Sequence, residues 1–138
     1  MREVRIRDTL RGELQPLDPR DPPGVGIYAC GPTVYSRVHI GNARPYVIFM
    51  LLRRFLAALG YEPRLVINVT DINDKIYGAA REAGEGSEAF AKRMTSAYVS
   101  DTDRLELGRP DDEPLASETL AEIVGLIEAL IASGHAYE

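Results

Sequence analysis

The sequence predicts an α/β fold with parallel strands, and three observations carry that prediction. Val25 to Cys30 is a short, almost wholly apolar run, the pattern of a buried strand. From about Gly41 to Leu59, the residues Ile48, Leu51, Leu52, Phe55, Leu56 and Leu59 recur at helical spacing, with Arg53 and Arg54 between them. Leu65 to Val69 is a second apolar run. Strand, helix and strand within residues 25–69 make a βαβ unit, which dictates parallel strands and a right-handed crossover.

Taken in order, residues 3–17 read as an antiparallel hairpin. Val4 and Ile6 alternate with Arg5 and Arg7, Arg11-Gly12 supplies the turn, and Leu14 and Leu17 lie on the return. Prolines and glycines from Pro16 to Gly26 make a connector. The strand at 25–30 has no charged residue and is expected to be buried on both faces. Pro45 is expected in the first turn of the helix, where its missing N–H costs nothing, and Gly60 just past its end. The stripe from Leu51 to Leu59 is expected to be core. Further helices are expected near Ile76–Ala83, Ser87–Leu105 and Ser117–Ser133, a helical segment over 72–133 interrupted by a Pro- and Asp-rich turn at Gly108–Pro114. The chain, 1–138, reads as a portion of a single domain.

With 138 residues and 45% hydrophobic content, such a chain buries roughly two-thirds of its unfolded surface and needs no disulfide or metal merely to fold. No apolar run reaches the ~18–20 residues of a membrane span, and the N-terminus has no hydrophobic signal core. The single cysteine, Cys30, excludes an internal disulfide framework and fits a reducing compartment, so a cytoplasmic location and no membrane partner are expected. The net charge of -5 conceals a split: residues 1–69 carry ten arginines against six acids, and residues 70–138 six basic groups against fifteen acids. The positive half suits an anion such as a nucleotide; the acidic half repels a polyanion, although acidic helix surfaces alone give the same numbers.

The chemistry concentrates between the first strand and the first helix, from Cys30 to Arg44. In open α/β sheets ligands bind in that crevice, and the helix N-terminus offers unpaired N–H groups and a positive dipole end to phosphate. Gly41 lets backbone approach a ligand, while His39 and Asn42 can donate hydrogen bonds. Each has a plainer reading. A lone cysteine is commonly an inert small hydrophobe, and His39 can be an exposed loop residue. Thr70 and Asp71 can simply cap the following helix, Asp74-Lys75 can be a solvated pair, and His135 can be structural or exposed.

His39-Ile40-Gly41-Asn42 resembles the His-Ile-Gly-His signature of the class I aminoacyl-tRNA synthetases. Preceded at this spacing by Cys30-Gly31-Pro32-Thr33-Val34-Tyr35, it resembles the cysteine-specific branch. Asn68-Val69-Thr70-Asp71-Ile72-Asn73-Asp74-Lys75-Ile76 resembles a second stretch of that family, and Asp111-Asp112-Glu113-Pro114 with the helix after it a third. The similarity runs from about residue 4 to the end. It implies a partial Rossmann-type nucleotide-binding domain that, in a complete enzyme, activates L-cysteine with ATP and Mg2+ to cysteinyl-adenylate and transfers it to tRNA(Cys). It implies catalytic roles for His39 and Asn42, ATP contacts from His39, Gly41 and Asn42, and an amino acid bordered by Gly31 and Thr70. Cys30 is implied as one ligand of a Zn2+ ion that binds the substrate thiolate. Zinc separates thiolate from hydroxyl where size cannot, since it takes sulfur at about 2.3 Å.

The chain departs from the family's pattern in several places. Asn42 stands where the signature usually has a second histidine; it can donate but never be cationic. Met50 replaces a usual Asp, Leu115 a usual Arg and Thr119 a usual His. The only lysines are Lys75 and Lys92, so the family's Lys-Met-Ser-Lys-Ser loop has no counterpart. That loop, the remaining zinc ligands and the tRNA-binding helical domain follow the matched region in the family. The expectation is therefore an N-terminal segment of a cysteine–tRNA ligase, inactive alone and with an incomplete zinc site. Two alternatives stand beside it: a stand-alone non-catalytic nucleotide-binding or accessory paralogue, and the cysteine ligase of mycothiol biosynthesis. Strand 25–30 is also expected to present an apolar edge that drives self-association, unless the hairpin folds over it.

Overall fold

The computed structural model describes residues 3–137. Its elements are β1 (Arg5–Asp8), β2 (Glu13–Pro16), β3 (Gly24–Ala29), α1 (Ile40–Ala58), β4 (Glu62–Ile67), α2 (Asp74–Ala83), α3 (Ser87–Asp103), a 3-10 helix (Ala116–Thr119) and α4 (Leu120–Ala132). β1 and β2 pair antiparallel, with Ile6 opposite Gln15. β3 and β4 pair in parallel, with Ile27 opposite Leu65, and α1 connects them. The α/β class, the hairpin and the parallel βαβ unit are as the sequence predicts.

The stretch expected to be a turn after α3 does more. Asp111 N–H donates to the Leu65 carbonyl at 2.8 Å, Ile67 N–H to Asp112 at 3.0 Å and Val69 N–H to Pro114 at 2.9 Å. Residues 111–116 thus run parallel beside β4 as a third track, with bridges at Val66–Asp112 and Val69–Leu115. The Asp111 carboxylate joins the ladder by accepting from Leu65 N–H at 2.7 Å. β4 is consequently the central strand, which explains why Leu65 and Ile67 are 0% and 3% exposed.

Two expectations about burial need correction. β3 is covered on one face only: Val25 and Ala29 are buried, whereas Gly26, Tyr28 and Cys30 are exposed. On α1 the buried residues are Tyr46, Met50 and Leu56, while Ile48, Leu51 and Phe55 face outward, Leu51 at 63%. The helix is apolar on more than one side: of the predicted stripe, Leu52, Leu56 and Leu59 pack in a core cluster, whereas Ile48, Leu51 and Phe55 do not. Tyr46 and Met50 join Leu65, Ile67 and Val69 of the sheet, Ile76 of α2 and Phe90, Met94 and Tyr98 of α3 in the main core. A smaller cluster of Val4, Val25, Leu56 and Tyr61 ties the hairpin segment to the βαβ unit. Every residue of α4 is exposed. Among the described residues, no helix is long and apolar enough to cross a membrane.

Candidate functional site

Parallel strands end on the same side, so the loops that follow β3 and β4 meet. Thr33 and Thr70 form a parallel bridge, in which Val34 N–H donates to the Thr70 carbonyl and Thr70 N–H to the Pro32 carbonyl, each at 3.1 Å. Below it, Gly31 N–H donates to Asn68 Oδ1 at 3.1 Å, and Asn68 Nδ2 reaches Thr70 Oγ1 at 3.3 Å. Asn68 thereby links Gly31 to Thr70. The sequence motif contains Asn68 without disclosing this role; a polar side chain just past an apolar strand is its only local signal.

The first turn of α1 is organised by His39. Its backbone is extended (φ -113°, ψ 172°), its ring Nδ1 accepts from Gly41 N–H at 3.0 Å, and its carbonyl accepts from Asn42 and Ala43 N–H at 2.9 and 3.0 Å. The expected set of unpaired N–H groups is therefore largely satisfied by His39 itself. An Nδ1 that accepts leaves the proton of the neutral ring on Nε2, free to donate outward from an exposed residue. A Cβ on residue 41 would come within 2.8 Å of His39 Cε1, so glycine there is what allows the ring to cap the helix. Because α1 begins at Ile40, Pro45 stands in the second turn rather than the first.

Cys30, Gly31, Gly41 and Asn42 line one cavity of about 130 Å³, floored by Tyr46 and Tyr98. His39 and Thr70 are not among its lining residues, though each lies beside the segments that form it. A larger groove of about 520 Å³ lies between α2, α3 and the 3-10 helix and contains none of these cavity residues. The floor is rigid. The Tyr46 and Tyr98 rings meet edge to face at 6.3 Å, and Tyr46 Oη donates to the Gly108 carbonyl at 2.7 Å. Burial pushes both phenols above the ordinary tyrosine value, and among the described residues Tyr98 Oη has no hydrogen-bond partner.

The surrounding segments are tied down by polar contacts. Arg37 of the loop makes a two-pronged pair with Asp101 of α3, which raises the guanidinium pKa. Asn73, not Asp71, caps α2 through Lys75 N–H at 3.0 Å. Asp71 instead accepts from Ser117 N–H at 2.9 Å and from the Ser117 hydroxyl, holding the start of the 3-10 helix against the Thr70 loop. Asp74 and Lys75 are both exposed, as a solvated pair would be, but among the described residues they form no ion pair, and Lys75 Nζ lies 5.4 Å from the centroid of the Tyr35 ring. Glu113 pairs with Arg109, and burial raises its carboxyl above the usual range against that pull. His135 is exposed.

The three positions expected to have lost a charged or titratable side chain have plain structural seats. Met50 is 1% exposed in the core, Leu115 packs against that core, and Thr119 Oγ1 donates to the Leu115 carbonyl at 3.2 Å. For zinc, Cys30 offers an exposed free thiol. Among the described residues no three His, Cys, Asp or Glu side chains converge, and His39 has turned Nδ1 to its own helix. A tetrahedral zinc site needs three or four protein donors, so these residues alone do not fit the ion.

A family model described as tRNA synthetases class I (C) catalytic domain matches residues 16–138. The chain is 40% identical over 134 residues to a cysteine–tRNA ligase of Exiguobacterium sibiricum, covering 97% of this chain and 29% of that protein. It is 41% identical over 138 residues to a cysteine–tRNA ligase of Geobacillus thermodenitrificans and 44% identical over 138 residues to one of Burkholderia mallei. In both, all of this chain is matched to 30% of the relative. The chain thus spans under a third of the length of these curated relatives.

Proposed function

Since the chain belongs to the class I aminoacyl-tRNA synthetases of the cysteine type, we propose that it is the cysteine- and ATP-binding first segment of a cysteine–tRNA ligase, acting in the cytoplasm. The observation that carries this reading is the meeting of the two motif loops. Beside the Thr33–Thr70 bridge that joins them, Cys30, Gly31, Gly41 and Asn42 of the first motif line one cavity at the ends of parallel strands, where α/β folds bind ligands.

In the complete enzyme the carboxylate of L-cysteine attacks the α-phosphorus of ATP. A carboxylate–phosphorus bond forms and the bond to pyrophosphate breaks; cysteinyl-adenylate then passes its cysteinyl group to a 3′-terminal hydroxyl of tRNA(Cys), forming an ester and releasing AMP. We assign His39 Nε2–H and the Asn42 amide as the donors that stabilise charge on the phosphates, with Mg2+ accompanying the nucleotide. Gly31 and Thr70 border the amino acid. Cys30 can supply one thiolate to a zinc ion, whose further donors do not converge among the described residues.

This chain has two lysines and no Lys-x-Ser-Lys sequence. Cationic groups aimed at transferring phosphates contribute several kcal/mol to such reactions. The test is cysteine-dependent pyrophosphate exchange on the purified chain, with ATP binding followed by calorimetry. Measurable ATP affinity with exchange at background supports the reading. Robust exchange, free of host synthetase, removes the claim that the segment is inactive alone, and no ATP affinity at millimolar concentration removes the nucleotide site.

A further inference from the structure

We propose that Lys75 and Tyr35 form a clasp that holds the 33–39 loop against the first turn of α2, beside Asn42, making Lys75 a positioning residue for the site. The proposal rests on the nucleotide-site reading above.

The Lys75 ammonium lies 5.4 Å from the Tyr35 ring centroid, inside the ~6 Å range of cation–π attraction. Among the described residues, Lys75 makes no ion pair, even with the adjacent Asp74. Its backbone is fixed in the first turn of α2 by the Asn73 cap. A cation in that turn faces the positive end of the helix dipole, so its own helix disfavours it there and the aromatic face compensates. Tyr35 in turn lines a small cavity together with Val34, Val38, Asn42 and Tyr98. Fixing that ring therefore fixes the loop beside Asn42, four residues before the His39 cap. The bridge at Thr33–Thr70 secures the loop's base, the Arg37–Asp101 pair its far side, and the clasp the stretch between them.

Two readouts test the clasp on the purified chain: amide hydrogen exchange over residues 34–38 without ligand, and affinity for ATP against adenosine. Lys75→Met and Tyr35→Leu should each speed exchange over 34–38 by about 2- to 5-fold. The double variant should go no further, because both remove one interaction. Lys75→Arg should keep the native rate, since a guanidinium also stacks on tyrosine. ATP affinity should fall by a similar factor in both single variants and recover in Lys75→Arg. Unchanged exchange in Lys75→Met, or additive effects in the double variant, overturns the clasp. Weaker ATP binding in Lys75→Met but not in Tyr35→Leu also overturns it, by assigning Lys75 directly to the phosphates. If the wild-type chain binds no ATP, the site reading fails while the exchange data still decide the clasp.

Discussion

Gly31 and Asn68 are fitted to each other from both sides. Gly31 N–H donates to the Asn68 side chain at 3.1 Å, and a Cβ on Gly31 would lie 1.6 Å from the Asn68 carbonyl oxygen. Backbone fills that space, so no rotamer change relieves it. Gly31→Ala should therefore force the two loops apart and cost more than about 2 kcal/mol, a loss of several degrees in Tm. Asn68→Ala removes only side-chain hydrogen bonds and should cost about 1 kcal/mol. Thermal melts by circular dichroism decide; equal losses in the two variants would show that the close approach matters no more than the hydrogen bonds.

His39 has two separable roles, one for each ring nitrogen. Nδ1 caps α1 and Nε2 is free to meet a ligand. His39→Ala should lose both, lowering stability by about 1 kcal/mol. Asparagine is itself a good cap, so His39→Asn should keep most of the stability and still lose ATP affinity. If His39→Asn binds ATP as the wild type does, the ring makes no contribution to phosphate recognition.

The two floor tyrosines set an alkaline limit. Burial raises both Tyr46 and Tyr98 above the ordinary value of 10.0. A raised folded-state pKa gives stability that is intact below the unfolded value and lost as pH climbs from there through the folded one. Denaturant titrations should thus show stability falling from about pH 10 upward, less steeply in Tyr98→Phe. At neutral pH Tyr98→Phe should be as stable as wild type or up to about 1 kcal/mol more so, because it removes a buried hydroxyl without a partner. A loss of stability at pH 7 would mean that the hydroxyl is bonded in solution.

Zinc should not be retained at one ion per chain. Cys30 is a lone exposed thiol, and no three-donor group forms among the described residues. Elemental analysis after dialysis should find well under one equivalent. About one zinc per monomer, abolished in Cys30→Ala, would reveal a donor set drawn together in solution.

Self-association is expected. Among the described residues β3 forms a ladder only with β4, apart from the isolated bridge Asp21–Gly24, and the hairpin strands pair only with each other, so the hairpin adds no strand to the outer edge. The uncovered face beside that edge carries Tyr28, 65% exposed. Sedimentation should show concentration-dependent growth above 15.2 kDa, reduced in Tyr28→Lys. A single 15.2 kDa species at all concentrations would show the edge to be inert. Association that survives Tyr28→Lys and disappears in Ile127→Lys would move the contact to α4.

What the sequence makes legible follows from how local each signal is. The βαβ unit is readable because each of its pieces carries its own pattern, whereas Gly31 and Thr70 are picked out only by the family resemblance, and the Asn68 link between them is not visible in the sequence. The packing side of α1 is not readable: Ile48, Leu51 and Phe55 are as apolar as Tyr46 and Met50, and only the sheet beneath chooses between them. The third track at 111–116 is hidden because Pro110, Pro114 and three acids imitate a turn, while its ladder is completed by an aspartate side chain. The start of α1 is obscured because histidine is an unusual cap, and recognising it requires seeing its ring beside Gly41.

Pro45 has no N–H to close on the carbonyl of Gly41, so the spiral of hydrogen bonds is broken between the turn that carries Asn42 and the rest of α1. Beyond the break, Tyr46 is bolted to Gly108 and Tyr98. The first turn of α1 is thus joined to the rest of the helix by one hydrogen bond fewer than an unbroken helix has, and Gly41 and Asn42 stand on the ligand side of that gap while Tyr46 stands on the core side.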